Sequence, residues 1–489
     1  MCQLPRAGRA CLTSNFQPGT FRRSSCFDDR SWVFSMEEQE KTEQLEPALE
    51  SFIDNHRAHH GAVKDFAAAS RTSAAVRQRL AQPKALKAFT DVIKEDLEKD
   101  SETAQDALRC VGNACVDNNA ARDAINELGF GWASECLEKG ADDIKLLTTK
   151  VLYNICNDYP PSQQQCYRER IHFALMAFLA LDIAASHPDA NAISAIDLLF
   201  WITGHKAELE PNLSEEELKP EIASRIFQLP GLYVDSLDVE DYGCLLESIL
   251  VYLRDPVVQR EAFGSVTQIM HLLRVTEAKA KDAEDAEDRK LLEPLCTSLI
   301  WCLSDIAAQP GFADYAQEYG VIDAARSDIE IRCRGASQAC SEGGMASLTA
   351  SCEVLGNILW KSPAEECSRL VDRPEEQALD AMVFSCIVDT PGGPSTAPVL
   401  HSMAGLLLHL SRPSVSFREQ MGARSSARSA LERLCRHEMS QIKQDGVKLL
   451  RALGKECPTN QERFAEIAKE AMLSLKEANS AASEEAQVG

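Results

Sequence analysis

The sequence predicts an all-α chain wound into a right-handed solenoid of stacked helical repeats, and three observations carry that expectation. The 489 residues are 45% hydrophobic but only 6% aromatic, with Gly and Pro (24 and 20) thinly spread. That is enough apolar material for a large core and too little turn chemistry for a sandwich or propeller. The apolar runs are short, the longest being the nine residues Phe173–Leu181, which Asp182 ends. A membrane span needs about 20 such residues. Finally, one pattern recurs: an apolar helix, a polar or Pro-containing break, then a second amphipathic start.

The pattern is legible in ALRCVGNACVDNNAARDAI (107–125), KVLYNICNDYPPSQQQCY (150–167), CEVLGNILWKSPAEECSRLV (352–371) and MAGLLLHLSRPSVSFREQM (403–421). Aligned on Asn113, its anchors fall at Asn154, Thr203, Tyr252, Cys302, Asn357, His409 and Ala452, spaced 41–55 residues apart. A period of roughly 40–47 residues with insertions is the armadillo/HEAT range. One such unit cannot bury its apolar face alone, so units stack and the core runs lengthwise. About nine or ten are expected. On the exposed edge of each third helix, an Asn can meet a partner without burying a charge. Asn113, Asn154 and Asn357 are the candidates, with His409 in the same slot.

Taken in chain order, residues 1–35 carry Arg6, Arg9, Arg22, Arg23 and Arg30 without periodicity or an apolar stretch, so no secretory signal is expected. The composition also suits a mitochondrial presequence, but a disordered extension upstream of a second start at Met36 is the simpler expectation. The solenoid is expected over 36–474. Gly129-Phe130-Gly131 reads as a helix-ending turn, and Ile171–Ile183 as buried core or an apolar slot. Residues 275–293 read as a charged, solvent-facing helix, and 334–348 and 388–397 as Gly/Ser/Pro-rich inserts. Residues 475–489 are expected to be a flexible acidic tail.

The charge is uneven. With 51 Lys+Arg against 75 Asp+Glu, the net charge is −24, which argues against nucleic-acid binding. Residues 208–221 hold six Glu, among them Glu215, Glu216 and Glu217, and 235–241 hold Asp235, Asp238, Glu240 and Asp241. Such runs suit a solvated loop or a face that attracts a Lys/Arg-rich tail. Residues 412–455, by contrast, hold ten Lys/Arg and four Asp/Glu. An array acidic in the middle and basic near its end would orient an asymmetric partner.

Chemistry-bearing motifs are absent from the sequence. There is no phosphate-cradling GxxxxGK[ST], no GxSxG and no HExxH. His56, His59 and His60 lack the companion ligands a metal site needs. The 18 cysteines sit in apolar helical patterns with no CxxC, which suggests a reducing compartment, the cytoplasm by default. No enzyme, cofactor, metal or integral membrane association is expected.

ALRCVGNACVDNNAAR, VLGNILWKSPAEECSRLV, HSMAGLLLHLSRPSVSFREQM and IKQDGVKLLRAL together resemble the armadillo-repeat small-GTPase GDP-dissociation stimulator (smg GDS) family, patchily over residues 80–470. The resemblance implies a cytosolic exchange stimulator and chaperone for Ras-, Rap- and Rho-type GTPases with polybasic, prenylated tails. It implies that Asn357 faces the GTPase, whereas His409 stands where the family pattern suggests Asn. Two alternatives stay open: a non-catalytic scaffold of the ataxin-10-like kind, and an importin-like carrier. No Trp-x-x-x-Asn ladder recurs to favour the carrier.

Overall fold

The computed structural model describes residues 36–58, 61–180, 190–209, 220–253, 255–334 and 345–473. The expectations for 1–35 and 475–489 therefore lie outside the described residues, as do those for Glu215, Glu216 and Glu217. Every regular element among the described residues is helical. After α1 (Met36–Asp54) and α2 (Gly61–Thr72), the helices fall in threes. The first four threes are α3 (Ala74–Leu80), α4 (Pro83–Asp96), α5 (Ser101–Ala114); α6 (Asn119–Leu128), α7 (Gly131–Lys139), α8 (Asp142–Cys156); α9 (Pro160–Arg168), α10 (Ile171–Leu179), α11 (Ala190–Thr203); and α12 (Lys206–Leu209), α13 (Pro220–Tyr233), α14 (Val239–Leu253). The next four are α15 (Pro256–Glu261), α16 (Val266–Asp282), α17 (Ala286–Ala307); α18 (Phe312–Glu318), α19 (Val321–Arg334), α20 (Met345–Lys361); α21 (Ala364–Val371), α22 (Leu379–Asp389), α23 (Ala397–Leu410); and α24 (Val415–Gly422), α25 (Ala427–Cys435), α26 (Ser440–Gly454). A further first helix, α27 (Pro458–Arg463), and a helical stretch at 465–473 close the array.

Packing follows the threes. Each third helix lies against the next, α2 on α5, α5 on α8, and so on to α23 on α26. Second helices form a parallel row from α4 to α25. This is an all-α, armadillo-like solenoid of eight complete three-helix units among the described residues, one fewer than the lower end of the expectation. Its core is continuous, from Phe52, Phe66 and Phe89 at one end to Leu449, Leu453 and Phe464 at the other.

One unit shows why these residues form these helices. Asp100 caps α5, its carboxylate accepting from Thr103 N at 3.2 Å, which satisfies an otherwise orphaned donor. Ala104, Ala107, Leu108, Val111 and Ala114 recur at helical spacing and are buried. The chain then reverses through Asp117 in the left-handed region (φ 50°), and Asn118 caps α6 by accepting from Ala121 N. Asp158 and Glu456 take the same φ > 0 position after α8 and α26. Gly129, as expected, ends α6 at φ 79°, and Phe130 N donates to Glu169 across the turn at 2.6 Å.

The carbonyls at the end of each third helix have no helical partner. At six of the nine third helices a polar side chain six or seven residues further on, in the following first helix, donates to one of them. Arg77 reaches Ser70 O (3.2 Å), Arg122 Cys115 O (3.1 Å), Gln163 Cys156 O (2.8 Å) and Gln259 Leu253 O (3.1 Å). Arg418 reaches Ser411 O (3.5 Å) and Asn460 reaches Leu453 O (3.0 Å). Most are buried, and several also touch the neighbouring unit: Arg122 donates to Asn154 O and Asn460 to Arg418 O. Asn460 lies so close to α24 that a Cβ on Gly422 would sit 2.1 Å from its Oδ1.

Two sequence expectations need adjustment, and a third holds. The stretch 275–293 is two helices broken at 283–285, and Glu277 within it is buried, accepting from Ala346 N (2.6 Å) and Ser347 Oγ (2.6 Å). Its charges are therefore not all solvent-facing, because a staple to α20 uses one of them. Thr203, Tyr252 and Cys302 are buried, so the repeat anchor enters the core at those units. In the late units the register is set by Ser304, not Cys302, opposite Asn357. Within Ile171–Ile183, Leu175, Met176, Phe178 and Leu179 are packed inside, as the core reading expects; 181–183 lie outside the described residues.

Two substitutions test these contacts. Asn460→Ala orphans the carbonyls of Leu453 and Arg418 and is expected to cost about 1–3 kcal/mol in urea denaturation. Arg424 grips Asp380 through two bonds (2.9 and 3.3 Å) with both side chains buried, so Asp380→Ala, which strands a buried guanidinium, is expected to cost about 3–5 kcal/mol. A neutral result for either would show that these polar contacts are not staples.

Candidate protein-binding groove

The faces of the third helices that no neighbour covers run side by side and form one long surface. Its polar groups divide into three stretches. Along α11 and α14, Asp197, Glu240, Asp241 and Glu247 all bear on the thiol of Cys244, which burial and these carboxylates push up to about 12. Asp235, Asp238 and Glu240 are exposed at the α13–α14 turn. Asp238 also has a local task, accepting from Asp241 N at 2.8 Å. Of the acidic residues singled out from sequence, Glu240 and Asp241 lie with Asp197 and Glu247 around Cys244, Asp235 and Asp238 stand at the preceding turn, and Glu215, Glu216 and Glu217 are outside the described residues.

In the middle stretch lie Trp301, Ser304, Glu353, Asn357 and Trp360. Ser402 Oγ donates to Glu353 at 2.6 Å, and Asn357 Nδ2 to both the carbonyl and hydroxyl of Ser304 at 3.2 Å. The Asn residues proposed from sequence share this behaviour. Asn113 donates to Ser70 Oγ (3.0 Å) and Asn154 to Gly112 O (3.4 Å). All three are half-buried, and each ties its third helix to the one before. Their amides are stitches between units, whatever else they touch.

His409 behaves differently. Its ring meets the Trp360 ring edge-on at 5.3 Å, and its Nδ1 is buried with no hydrogen-bond partner. Burial, with help from nearby Arg412, holds its pKa down at about 4, so the ring is neutral at physiological pH. His401, one helical face away, is the opposite case: Asp445 Oδ2 lies 2.6 Å from its Nδ1 and raises its pKa.

The last stretch is cationic. Of the ten Lys/Arg counted in 412–455, several serve the scaffold: Arg418 and Arg424 are held inside, Arg433 bonds carbonyls of α22 and the turn after it, and Arg428 and Arg436 pair with Glu432 and Glu470. Lys448 is exposed but pairs with Asp445 at 3.0 Å, and Arg412, Arg451 and Lys455 remain exposed beside the groove. Arg412 stacks 4.2 Å above the Trp360 ring and donates to its carbonyl at 2.8 Å. Trp301 and Trp360, each 54% exposed, are the groove residues that sequence reasoning missed. Their signal was a bulky aromatic on a helix face that is otherwise polar, with Thr297 and Asp305 a turn either side of Trp301 and Asn357 a turn before Trp360.

No cluster of three or more His, Cys, Asp or Glu suited to a metal occurs among the described residues. His56 lies 3.7 Å from Glu95, and His59 and His60 are outside the described residues. None of the 14 described cysteines is in a disulfide, and most are buried, where burial raises most of their thiols. No single helix among the described residues is long and apolar enough to cross a bilayer.

No protein-family model matches the chain, and no curated protein matches it in sequence. Among solved structures, one titled "A conserved phosphorylation switch controls the interaction between cadherin and beta-catenin in vitro and in vivo" superposes over 92% of this chain and 94% of its own, at 12% identity and a TM-score of 0.34. At that score the likeness carries no argument about this chain. The class of protein rests on the structure itself: an armadillo-like repeat solenoid with an open, electrically divided groove.

The two histidines make a pH test. His409 binds its proton more readily unfolded (pKa about 6.5) than folded (about 4), so its contribution falls as pH drops through that window. His401, whose folded pKa is raised, adds stability below about pH 6.5 and loses it as pH rises through the folded value. His409→Gln should therefore lose less stability than the wild type between pH 7 and 5, by roughly 1 kcal/mol after screening of the half-buried ring. Equal losses in urea titrations at the two pH values would contradict the assignment.

Proposed function

We propose that this protein is a non-enzymatic binder of small GTPases with polybasic tails, and that it accelerates GDP release from them, shelters them, or both. The observation that carries the reading is the gathering of Asp197, Glu240, Asp241 and Glu247 around Cys244 on one stretch of an otherwise continuous groove. A Lys/Arg-rich tail would be drawn to that stretch by long-range attraction, which raises association rate more than affinity. The resemblance of the repeat segments to the smg GDS family supports the choice of GTPases over other clients with basic tails.

In this reading Asn357, His409 and their neighbours on α20 and α23 meet the folded domain of the client. Asn113 and Asn154 lie on the other side of the acidic stretch and meet the far end of an extended client. The mechanism needs no bond chemistry. A groove that binds the nucleotide-free GTPase more tightly than the GDP-bound form shifts the client towards release by that difference in affinity. Whether the client is prenylated does not alter the electrostatic argument.

Release of a fluorescent GDP analogue from Rho-, Rap- and Ras-type GTPases, with tails intact or deleted, tests this. Acceleration should require the tail and weaken with salt, since exposed charges are screened beyond about 8 Å at physiological ionic strength. Glu240→Lys with Glu247→Lys should slow association about tenfold at low salt and much less at high salt. No acceleration of any GTPase, together with no binding in the nucleotide-free state, would sink the proposal and leave an armadillo-like scaffold for other proteins.

A further inference from the structure

The far end of the groove has a chemistry of its own. Trp360 keeps 54% of its surface in solvent, with Arg412 stacked on its ring and His409 at its edge. Beyond it, Arg451 on α26 and Lys455 just after its end are exposed, and no side-chain hydrogen bond or ion pair holds either among the described residues. Both stand at the rim of a cavity of about 390 Å³ between α26 and the closing helical stretch. Leu450, Phe464, Ala468 and Met472 give that cavity an apolar wall. Nothing of this kind is needed to receive a basic tail.

We propose that Trp360, Arg412, Arg451, Lys455 and this cavity form a docking surface for an extended acidic segment of a partner protein, one that carries a bulky apolar side chain. Third helices pack about 8–10 Å apart, so α20 to α26 spans about 20 Å, or six residues of extended chain at about 3.3 Å each. A small amphiphile could fill the cavity without reaching Trp360. A segment of that length reaches both, seating its apolar side chain in the cavity while its carboxylates meet the guanidinium and ammonium groups. Nucleic acid is the poorer match, because a chain of net charge −24 repels a phosphate backbone outside this one patch.

Trp360 and Arg412 border the residues that the GTPase reading uses, but Arg451, Lys455 and the cavity do not, and the partner is of opposite charge, so this inference does not rest on that reading. The probe is a fluorescein-labelled 14-residue peptide of Asp, Glu and Ser with one central Phe, titrated with the full chain and followed by anisotropy. Saturable binding that weakens with salt is expected. Replacing the Phe by Ala should weaken it about tenfold, and Arg451→Glu with Lys455→Glu at least about tenfold. Trp360→Ala should weaken it severalfold. The reversed side chains are exposed, so the thermal melt of that variant should match the wild type and separate lost binding from lost folding. No saturable binding would overturn the proposal. So would binding indifferent to the charge reversal, or tighter binding of a single-stranded oligonucleotide or of laurate at the same site.

Discussion

The fold depends on how a third helix ends. A helix that stops inside a stack of helices leaves carbonyls that water cannot reach easily, and each one left unpaired costs about 1–3 kcal/mol. Here the chain reverses sharply after the third helix and brings the next first helix back across its end. Arg77, Arg122, Gln163, Gln259, Arg418 and Asn460 then supply the missing donors. Some of these side chains also bond a second helix, Arg122 the end of α8 and Asn460 the carbonyl of Arg418 on α24, so satisfying one helix end also helps fix the angle of its neighbour. Stacking, and therefore the continuous groove, follows from that arrangement repeated along the chain.

Charge is layered on this frame in two roles that must be kept apart. Buried charges are paired and act as staples: Lys206 with Asp255 at 3.2 Å, Arg424 with Asp380, and Glu277 with Ser347 and Arg332. Such pairs add little net stability over apolar packing, but breaking one is costly, so they hold neighbouring units in register. Charges on the solvent side of the third helices act at a distance. Because they are segregated, acidic on α11 and α14 and basic from α23 to α26, the groove has a direction.

The sequence disclosed the period and the helical class because apolar runs of fixed form recur, and the physics of burial leaves a chain little choice about where such runs go. The capping ladder was not legible, because Arg, Gln and Asn serve it interchangeably; what repeats is a donor at a fixed distance, not a residue type. The anchor at Cys302 was misplaced by two positions because α17 is longer than its neighbours and both Cys302 and Ser304 fit an apolar-edge pattern. Thr203 and Tyr252 looked like surface positions only while the helices around them were unknown. Asp235, Asp238, Glu240 and Asp241 were readable as a run, but Asp197 and Glu247 join them only through the stacking of α11 on α14. Likewise, ten cations in one segment could not be sorted in advance into those the scaffold consumes and those it leaves at the surface.

The claim on which the account turns is that clients bind along the third-helix face. Hydrogen exchange followed by mass spectrometry, on the full chain with and without a nucleotide-free Rho-type GTPase bearing its basic tail, reads that face directly. The account predicts slowed exchange in α11, α14, α17, α20 and α23, with the second helices α13, α16, α19 and α22 unchanged. Protection confined to the second-helix row, or none at all at saturating GTPase, would contradict it.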